Sequence, residues 1–371
     1  MEPSPEMQTI NVNLASNAYP VYLGQGLLGE QTLWQKHLGK GKTLIVSNDV
    51  VAPLYLEVLK SALTGRDLEL HIIPDGEPFK TSQTWSGIID KLVGMRARRD
   101  ANVIALGGGV VGDISGFAAA CYMRGIRFLQ APTTLLAQVD SSVGGKTGIN
   151  HEKGKNLIGA FHQPAAVMID ISTLCTLEAR EFNAGMAEVV KYGAIRDPSF
   201  FTWLEEHTGQ INSRSVADLE YLIYQSVLNK AEIVASDEKE AGVRALLNFG
   251  HSFGHALEAE TRYSKFLHGE AVAIGMVTAS RLSESRGLCS PGTTGRLSSL
   301  LTRFGLPVTI PAESSLDGLR NALDLDKKAL ASGLRLILLT DIGRAIINND
   351  SHPDDIISVM SQSRDRTGTK E

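Results

Sequence analysis

The chain has 371 residues, 43% of them hydrophobic and 21% charged, the balance of a water-soluble globular protein of about two domains. A formal net charge of -5, with no run of like charges, argues against a nucleic-acid or membrane-surface role. Three widely separated cysteines (Cys121, Cys175, Cys289) without a CxxC spacing argue against a disulfide framework or a cysteine-based zinc site and point to a reducing, cytoplasmic setting.

The first residues, "MEPSPEMQTINVNLAS", contain neither a basic nor an apolar leader region, so no secretory or transit signal is expected. No apolar stretch is long enough to span a bilayer. "KTLIVSN", "LELHIIP", "NVIALGGG", "RFLQAPTT" and "AVMID" are short β-branched runs with helical segments between most of them. That rhythm predicts an α/β domain with a mainly parallel, Rossmann-like sheet. In "NVIALGGGVVGDISGFAAA", Gly107, Gly109 and Gly112 fit GxGxxG between a strand and a helix, which suits a pyrophosphate at the helix N-terminus. A tight turn without a ligand is the alternative. The acidic residue expected about 20 positions on is missing from "RFLQAPTT". "PDGEPFK" offers Asp75, Glu77 and Lys80 instead, although a plain turn explains it equally well.

"DSSVGGKTG" is no Walker loop, because Asp140 stands where that motif needs glycine. It reads as a flexible loop carrying Lys146, followed by Lys153, Lys155 and Asn156 in "EKGKN". Lysines among glycines in an acidic protein suit a multiply anionic substrate. From about Leu177 the pattern turns helical, with "LRLILLT" the one late strand and a polar tail, "SRDRTGTKE", expected to be disordered. The expected division is therefore 1–176 as the α/β domain and 177–371 as a mainly α-helical domain, with ligands in the cleft between.

In "NFGHSFGHALEAE", helical spacing puts Asn248, His251 and His255 on one face, with Arg244 continuing it if the helix begins early. Gly250 and Gly254 each cost the helix roughly 1 kcal/mol relative to alanine, which makes sense if something approaches the backbone closely. His268 follows in "FLHGEAVAIGM", and Glu188 in "GMAEVVKYG" is the candidate carboxylate, with Lys191 one turn on. Two histidines and a glutamate would leave an open position on a zinc ion, as catalytic sites do. Packed histidines are the alternative, and "HSFGH" is not the HExxH of a metalloprotease.

"GGGVVGD", "APTTLLAQVDSSVGGKTGIN", "GKNLIGAFHQP", "AGMAEVVKYG", "NFGHSFGHALEAE" and "LHGEAVAIGM", in this order, resemble the 3-dehydroquinate synthase family over nearly the whole chain. The resemblance implies a homodimeric cytoplasmic lyase of the shikimate pathway, on the route to chorismate and the aromatic amino acids, using NAD and a divalent metal, zinc or cobalt. The implied reaction turns 3-deoxy-D-arabino-heptulosonate 7-phosphate into 3-dehydroquinate by transient oxidation, β-elimination of phosphate, re-reduction and intramolecular aldol closure. The implied metal ligands are Glu188, His251 and His268, with His255 a catalytic neighbour. Lys146, Lys191, Asn248 and Arg244 join it in the catalytic set.

The implied cofactor set is Asp75, Glu77 and Lys80 toward adenosine and ribose, and Gly108, Gly109 and Asp113 at the pyrophosphate and nicotinamide. Thr133, Thr134, Thr173, Thr176, Lys146 and Lys155 contribute to it as well. The implied substrate set is Arg124 from the partner subunit, Asp140, Lys146, Lys155, Asn156, Lys191, Lys230, Arg244, Asn248 and Lys328, with Lys327 a neighbour of equal type. Asn48 stands where some relatives carry aspartate and is left out. The alternatives are another sugar phosphate cyclase making an inosose or a valiolone, a metal-dependent polyol dehydrogenase, and an inactive NAD-binding sensor. Arg244, Asn248, His255 and Lys230 distinguish the first of these.

Overall fold

The structure, a computed structural model, describes residues 7–14, 18–240, 242–329 and 335–365, the side chains of 324–329 excepted. It comprises two compact units, 1–178 with 219–239, and 179–218 with 240–371. The first unit thus takes a segment from the half of the sequence that reads as helical.

In the first unit the strands are β1 (Gln8–Asn13), β2 (Ala18–Gly24), β3 (Thr43–Asn48), β4 (Leu68–Ile73), β5 (Asn102–Gly107), β6 (Arg127–Pro132), β7 (Lys146–His151), β8 (Gly154–Phe161) and β9 (Ala166–Asp170). Seven form one sheet in the order β1-β2-β9-β6-β5-β3-β4, parallel throughout except for the β1–β2 pair. Every residue of β3, β5 and β9 is buried, as expected of strands covered on both faces. The pleat sorts their side chains. Leu44, Val46, Val103, Ala105 and Phe128 join one core with α3 (Ser82–Gly94) and α4 (Gly109–Cys121), whereas Ile45, Ile104, Leu106 and Leu129 join a second with α1 (Gln31–His37) and α2 (Ala52–Ala62).

The chain leaves β3 for β4 on one side and returns to β5 on the other. The strand order therefore reverses between β3 and β5, the point where open α/β sheets bind ligands. Sequence reading missed β1 and β2, although Ile10, Val12 and Leu14 alternate as a half-buried strand should.

The loop expected around Lys146 and Lys153 is a hairpin. β7 and β8 pair antiparallel with Gly148 opposite Gly159. A Cβ on Gly148 would sit 2.6 Å from the Ile158 carbonyl oxygen, and one on Gly159 would sit 2.1 Å from that of Thr147. Gly148, read as part of a flexible loop, and Gly159 instead let two backbones touch.

The second unit contains α5 (Ala179–Ile195), α6 (Pro198–Glu206), α7 (Thr208–Asn212), α9 (His251–Glu260), α10 (His268–Ser285), α11 (Thr293–Arg303), α12 (Leu316–Ala329) and α13 (Pro353–Gln362). The long helix before α9, α8 (Val216–Ser236), begins there, and its greater part belongs to the first unit. "LRLILLT" forms β10 (Leu336–Asp341), which pairs with β11 (Arg344–Asn348), a partner the sequence reading overlooked. The polar tail is ordered as far as Asp365, where Ile310 and Arg364 form a bridge; the remainder lies outside the described residues. Among the described residues no helix is long and apolar enough to cross a membrane.

Candidate active site

The glycine turn lies at the strand-order reversal. Gly108 caps α4, whose first residue is Gly109. Three glycines here serve packing. Cβ atoms would meet Val111 at 2.7 Å from Gly107, the Gln130 amide oxygen at 2.8 Å from Gly112, and Thr147 at 2.4 Å from Gly116. Gly108 and Gly109 face only the side chains of Thr134 and Ser141, each 3.1 Å from the added carbon. They border the unpaired N–H groups that begin any helix. Thr133 donates its N–H to Gly107 at 3.0 Å, and its buried hydroxyl has no hydrogen-bond partner among the described residues.

The "PDGEPFK" segment joins this turn. Lys80 is 4% exposed, and its ammonium donates to Asp113 on α4 at 2.5 Å and to Asn156 at 2.6 Å. Burial opposes the charge, but the carboxylates of Asp113 and Glu77 outweigh it and raise the Lys80 pKa. Glu77 accepts from Asn150 at 2.7 Å. Asp75 is held by Asn48, the residue left out of the sequence reading, which also accepts from Val51 N–H at 2.7 Å. Burial and the Asp49 carboxylate raise the Asp75 pKa, against a hydrogen bond from the Gly76 backbone. Position alone could have drawn attention to Asn48, since it ends β3 at the reversal.

Lys230, on α8, is buried and donates to Asp140 twice, at 2.6 Å to the carbonyl and 2.5 Å to the carboxylate. Asp140 sits in a single π-turn, Ala137–Ser141. Thr173 donates to the Asp170 carbonyl at 2.8 Å and accepts from Gln138 at 3.0 Å, while Thr176 lies 2.5 Å from the Tyr55 hydroxyl. Lys146 opens β7 and Lys155 lies on β8. Asn156 has φ +54, and Arg124 is exposed on a turn where both it (φ +66) and Met123 (φ +50) are left-handed. Two such residues in succession are costly without glycine. The Lys328 side chain lies outside the described residues.

In the second unit the single helical face drawn from Asn248 through His255 is broken. Arg244 and Asn248 belong to a 3-10 turn, Val243–Asn248, and α9 starts only after Gly250 at φ +81. Asn248 instead donates to Glu240 at 2.9 Å, a partner the sequence reading did not select. Arg244 is 2% exposed. What approaches the glycines closely is protein. A Cβ on Gly254 would lie 3.1 Å from the α10 backbone at Ala271, and one on Gly275 would lie 2.0 Å from the Gly250 carbonyl oxygen.

That contact brings the histidines together. Ring centroids are 5.5 Å apart for His251 and His255, 5.2 Å for His251 and His268, and 5.9 Å for His255 and His268. Glu188 on α5 is fully buried, ion-paired with Lys191 and 3.8 Å from His251 Nε2. Apart from that ion pair, neither of its carboxylate oxygens has a hydrogen-bond partner among the described residues. Glu188, His251 and His268 each offer one ligand atom, all within 4.8 Å of one another. His255, Glu258 and His268 form a second such group. Burial, then Lys191 and the neighbouring histidines, lower the His251 pKa well below 6.5, keeping the ring neutral as a metal ligand must be. Glu258 was missed, though it follows His255 by three residues on α9.

Two solved structures share this architecture. One is the 2-epi-5-epi-valiolone synthase of Streptomyces hygroscopicus with NAD+ and Zn2+ bound, 31% identical, TM-score 0.87, covering 94% of this chain and 98% of that one. The other is a 2-deoxy-scyllo-inosose synthase with carbaglucose-6-phosphate, NAD+ and Co2+, 25% identical, TM-score 0.86, covering 96% and 100%. The fold is that of the sugar phosphate cyclases. Within that class, the models of the 3-dehydroquinate synthase N-terminal and C-terminal regions match residues 70–184 and 185–329. The 3-dehydroquinate synthase of Methylococcus capsulatus is 51% identical over 92% of this chain and 95% of its own length. The chain belongs to the 3-dehydroquinate synthase family.

Proposed function

We propose that the chain converts 3-deoxy-D-arabino-heptulosonate 7-phosphate to 3-dehydroquinate and phosphate, with NAD and one zinc or cobalt ion bound. The observation that carries this reading is the Glu188 carboxylate. It is fully buried, has no hydrogen-bond partner among the described residues beyond its ion pair with Lys191, and lies within ligand reach of His251 and His268. A nitrogen–nitrogen–carboxylate set with room for a further ligand suits a catalytic zinc. When bound, NAD takes up and returns a hydride while the metal polarises the oxygen at the carbon being oxidised.

The remaining work falls to side chains. In residues 1–176, the domain assigned to NAD, Asp75, Glu77 and Lys80 would hold the adenosine and ribose. Gly108, Gly109 and Asp113 would lie along the pyrophosphate and nicotinamide, with Thr133, Thr134, Thr173, Thr176, Lys146 and Lys155 contributing. The Thr133 hydroxyl beside the glycine turn, without a hydrogen-bond partner among the described residues, supports this reading. Arg124, Asp140, Lys146, Lys155 and Asn156 would bind substrate, Arg124 reaching the partner subunit of a homodimer. Its exposure on a left-handed turn fits that role.

In residues 177–371, assigned to metal and substrate, Lys191, Lys230, Arg244, Asn248 and Lys328 would hold the remaining polar groups. Ammonium and guanidinium groups suit a carboxylate and a phosphate on one small molecule. His255, the exposed member of the histidine cluster, would move protons. Free cysteines at positions 121, 175 and 289 fit a cytoplasmic setting.

The test is phosphate release from the heptulosonate phosphate, with NADH absorbance followed in the same cuvette. Many turnovers without NADH build-up, abolished by chelator and restored by zinc or cobalt, are expected. Failure with metal and NAD supplied would overturn the substrate assignment in favour of another cyclase substrate. NADH accumulating from a neutral polyol would make the chain a dehydrogenase.

A further inference from the structure

The backbone that carries His268 is fixed from two directions. Gly269 lies so close to α5 that an added Cβ would be 1.9 Å from the Ala184 carbonyl oxygen, one turn before Glu188. Glu270 accepts from Leu267 N–H at 2.8 Å, and Arg180 grips its two oxygens at 2.7 and 2.8 Å. These contacts hold the first turn of α10, and none of them is to the imidazole itself. Only a contact to the ring can choose its orientation and tautomer.

Glu258 supplies one. Its side chain is 2% exposed, and one carboxylate oxygen lies 3.5 Å from His268 Nδ1. A buried carboxylate is costly unless paired with a donor. His268 offers a donor when Nδ1 carries the proton, which in the neutral ring leaves Nε2 with its lone pair.

We propose that Glu258 is a positioning residue, its carboxylate holding the Nδ1–H of His268 so that Nε2 faces the divalent ion. The inference rests on the assignment of that ion to Glu188, His251 and His268. It also gives the second acid-and-histidine group of the site a defined role: Glu258 and His268 belong together as an orienting pair, not as two ligands with His255. Carboxylates behind metal-bound imidazoles make the ring a stronger donor as well as aiming it.

The experiment uses the full chain stripped of metal. Zinc affinity is measured by competition with a chromogenic chelator, and the visible spectrum of the cobalt form reports the ligand set. Glu258→Ala should loosen zinc by about 10–100-fold. Glu258→Gln, whose amide oxygen can still accept from Nδ1–H, should fall between that variant and the unaltered chain. Both cobalt spectra should keep their position and intensity. If Glu258→Ala fails to fold by circular dichroism, Glu258→Gln alone decides, with a measurable loss of affinity and an unchanged spectrum expected.

Zinc affinity within twofold of the unaltered chain in both variants would overturn the proposal. So would a cobalt spectrum that changes alike in Glu258→Ala and His255→Ala, since Glu258 would then be a direct ligand. Glu188→Ala serves as the separate control. If it binds zinc undiminished, the ligand assignment itself is wrong, and the inference falls with it.

Discussion

Gly275→Ala tests whether the spacing of α9 and α10 sets the histidine cluster. An added Cβ would lie 2.0 Å from the Gly250 carbonyl oxygen, 2.8 Å from Gly254 N and 3.0 Å from Gly250 C. The first distance is more than an ångström short of ordinary contact, and all three atoms are backbone, so no rotamer change relieves the clash. The two helices must separate. Overpacking of this kind costs about 1–3 kcal/mol, of which the better helix propensity of alanine offsets roughly 1. A net loss of up to about 2 kcal/mol is expected, read as a lower urea midpoint by circular dichroism.

Gly295→Ala on α11 is the matched control. Nothing lies within 4 Å of its added carbon and its φ is not left-handed, so a gain of about 0.4–1 kcal/mol is expected. Because His251 is on α9 and His268 on α10, Gly275→Ala should also weaken zinc binding, measured by chelator competition, whereas Gly295→Ala should not. A Gly275→Ala protein with an unshifted midpoint and unaltered zinc affinity would show that these glycines do not set the helix spacing.

His255→Ala should keep stoichiometric zinc by metal analysis while slowing turnover by about 10²–10⁴-fold, the usual span for a proton-transfer group; loss of the metal would make His255 a ligand. Lys80→Met should weaken NAD binding in a fluorescence titration, because it removes the partner of both Asp113 and Asn156. The Lys80 pKa is raised above the ordinary 10.5 by the Asp113 and Glu77 carboxylates, so its own contribution to stability is complete below that value and is lost only as pH rises through the raised pKa. His162 behaves in the opposite sense. Burial lowers its pKa below 6.5, against a hydrogen bond to the Ile126 carbonyl, so stability should fall as pH drops from 6.5 through the lowered value, and His162→Gln should flatten that slope in urea titrations at pH 5 and 7.

The strands β3, β5, β6 and β9, the glycine turn and the α5, α9 and α10 helices were legible because each is written in a local period or a turn residue. The chemistry of the site was legible too, since histidines four apart with a third nearby restrict what a segment can hold. Sequence alone could not say what the glycines were for. Gly148 reads as part of a flexible loop and Gly254 as a place where something approaches, yet both, like Gly159 and Gly275, are pressed against protein backbone.

Nor could it decide which carboxylates meet the histidines. Glu188 and Glu258 differ little as letters, and their partners are set by how α5, α9 and α10 pack. Asn248 left the expected helical face because Gly250 is left-handed, a state that glycine permits but does not impose. Residue type and local periodicity therefore determined the elements and the kind of chemistry. Contacts between residues far apart in sequence, which depend on backbone approach and burial, decided which side chains act together.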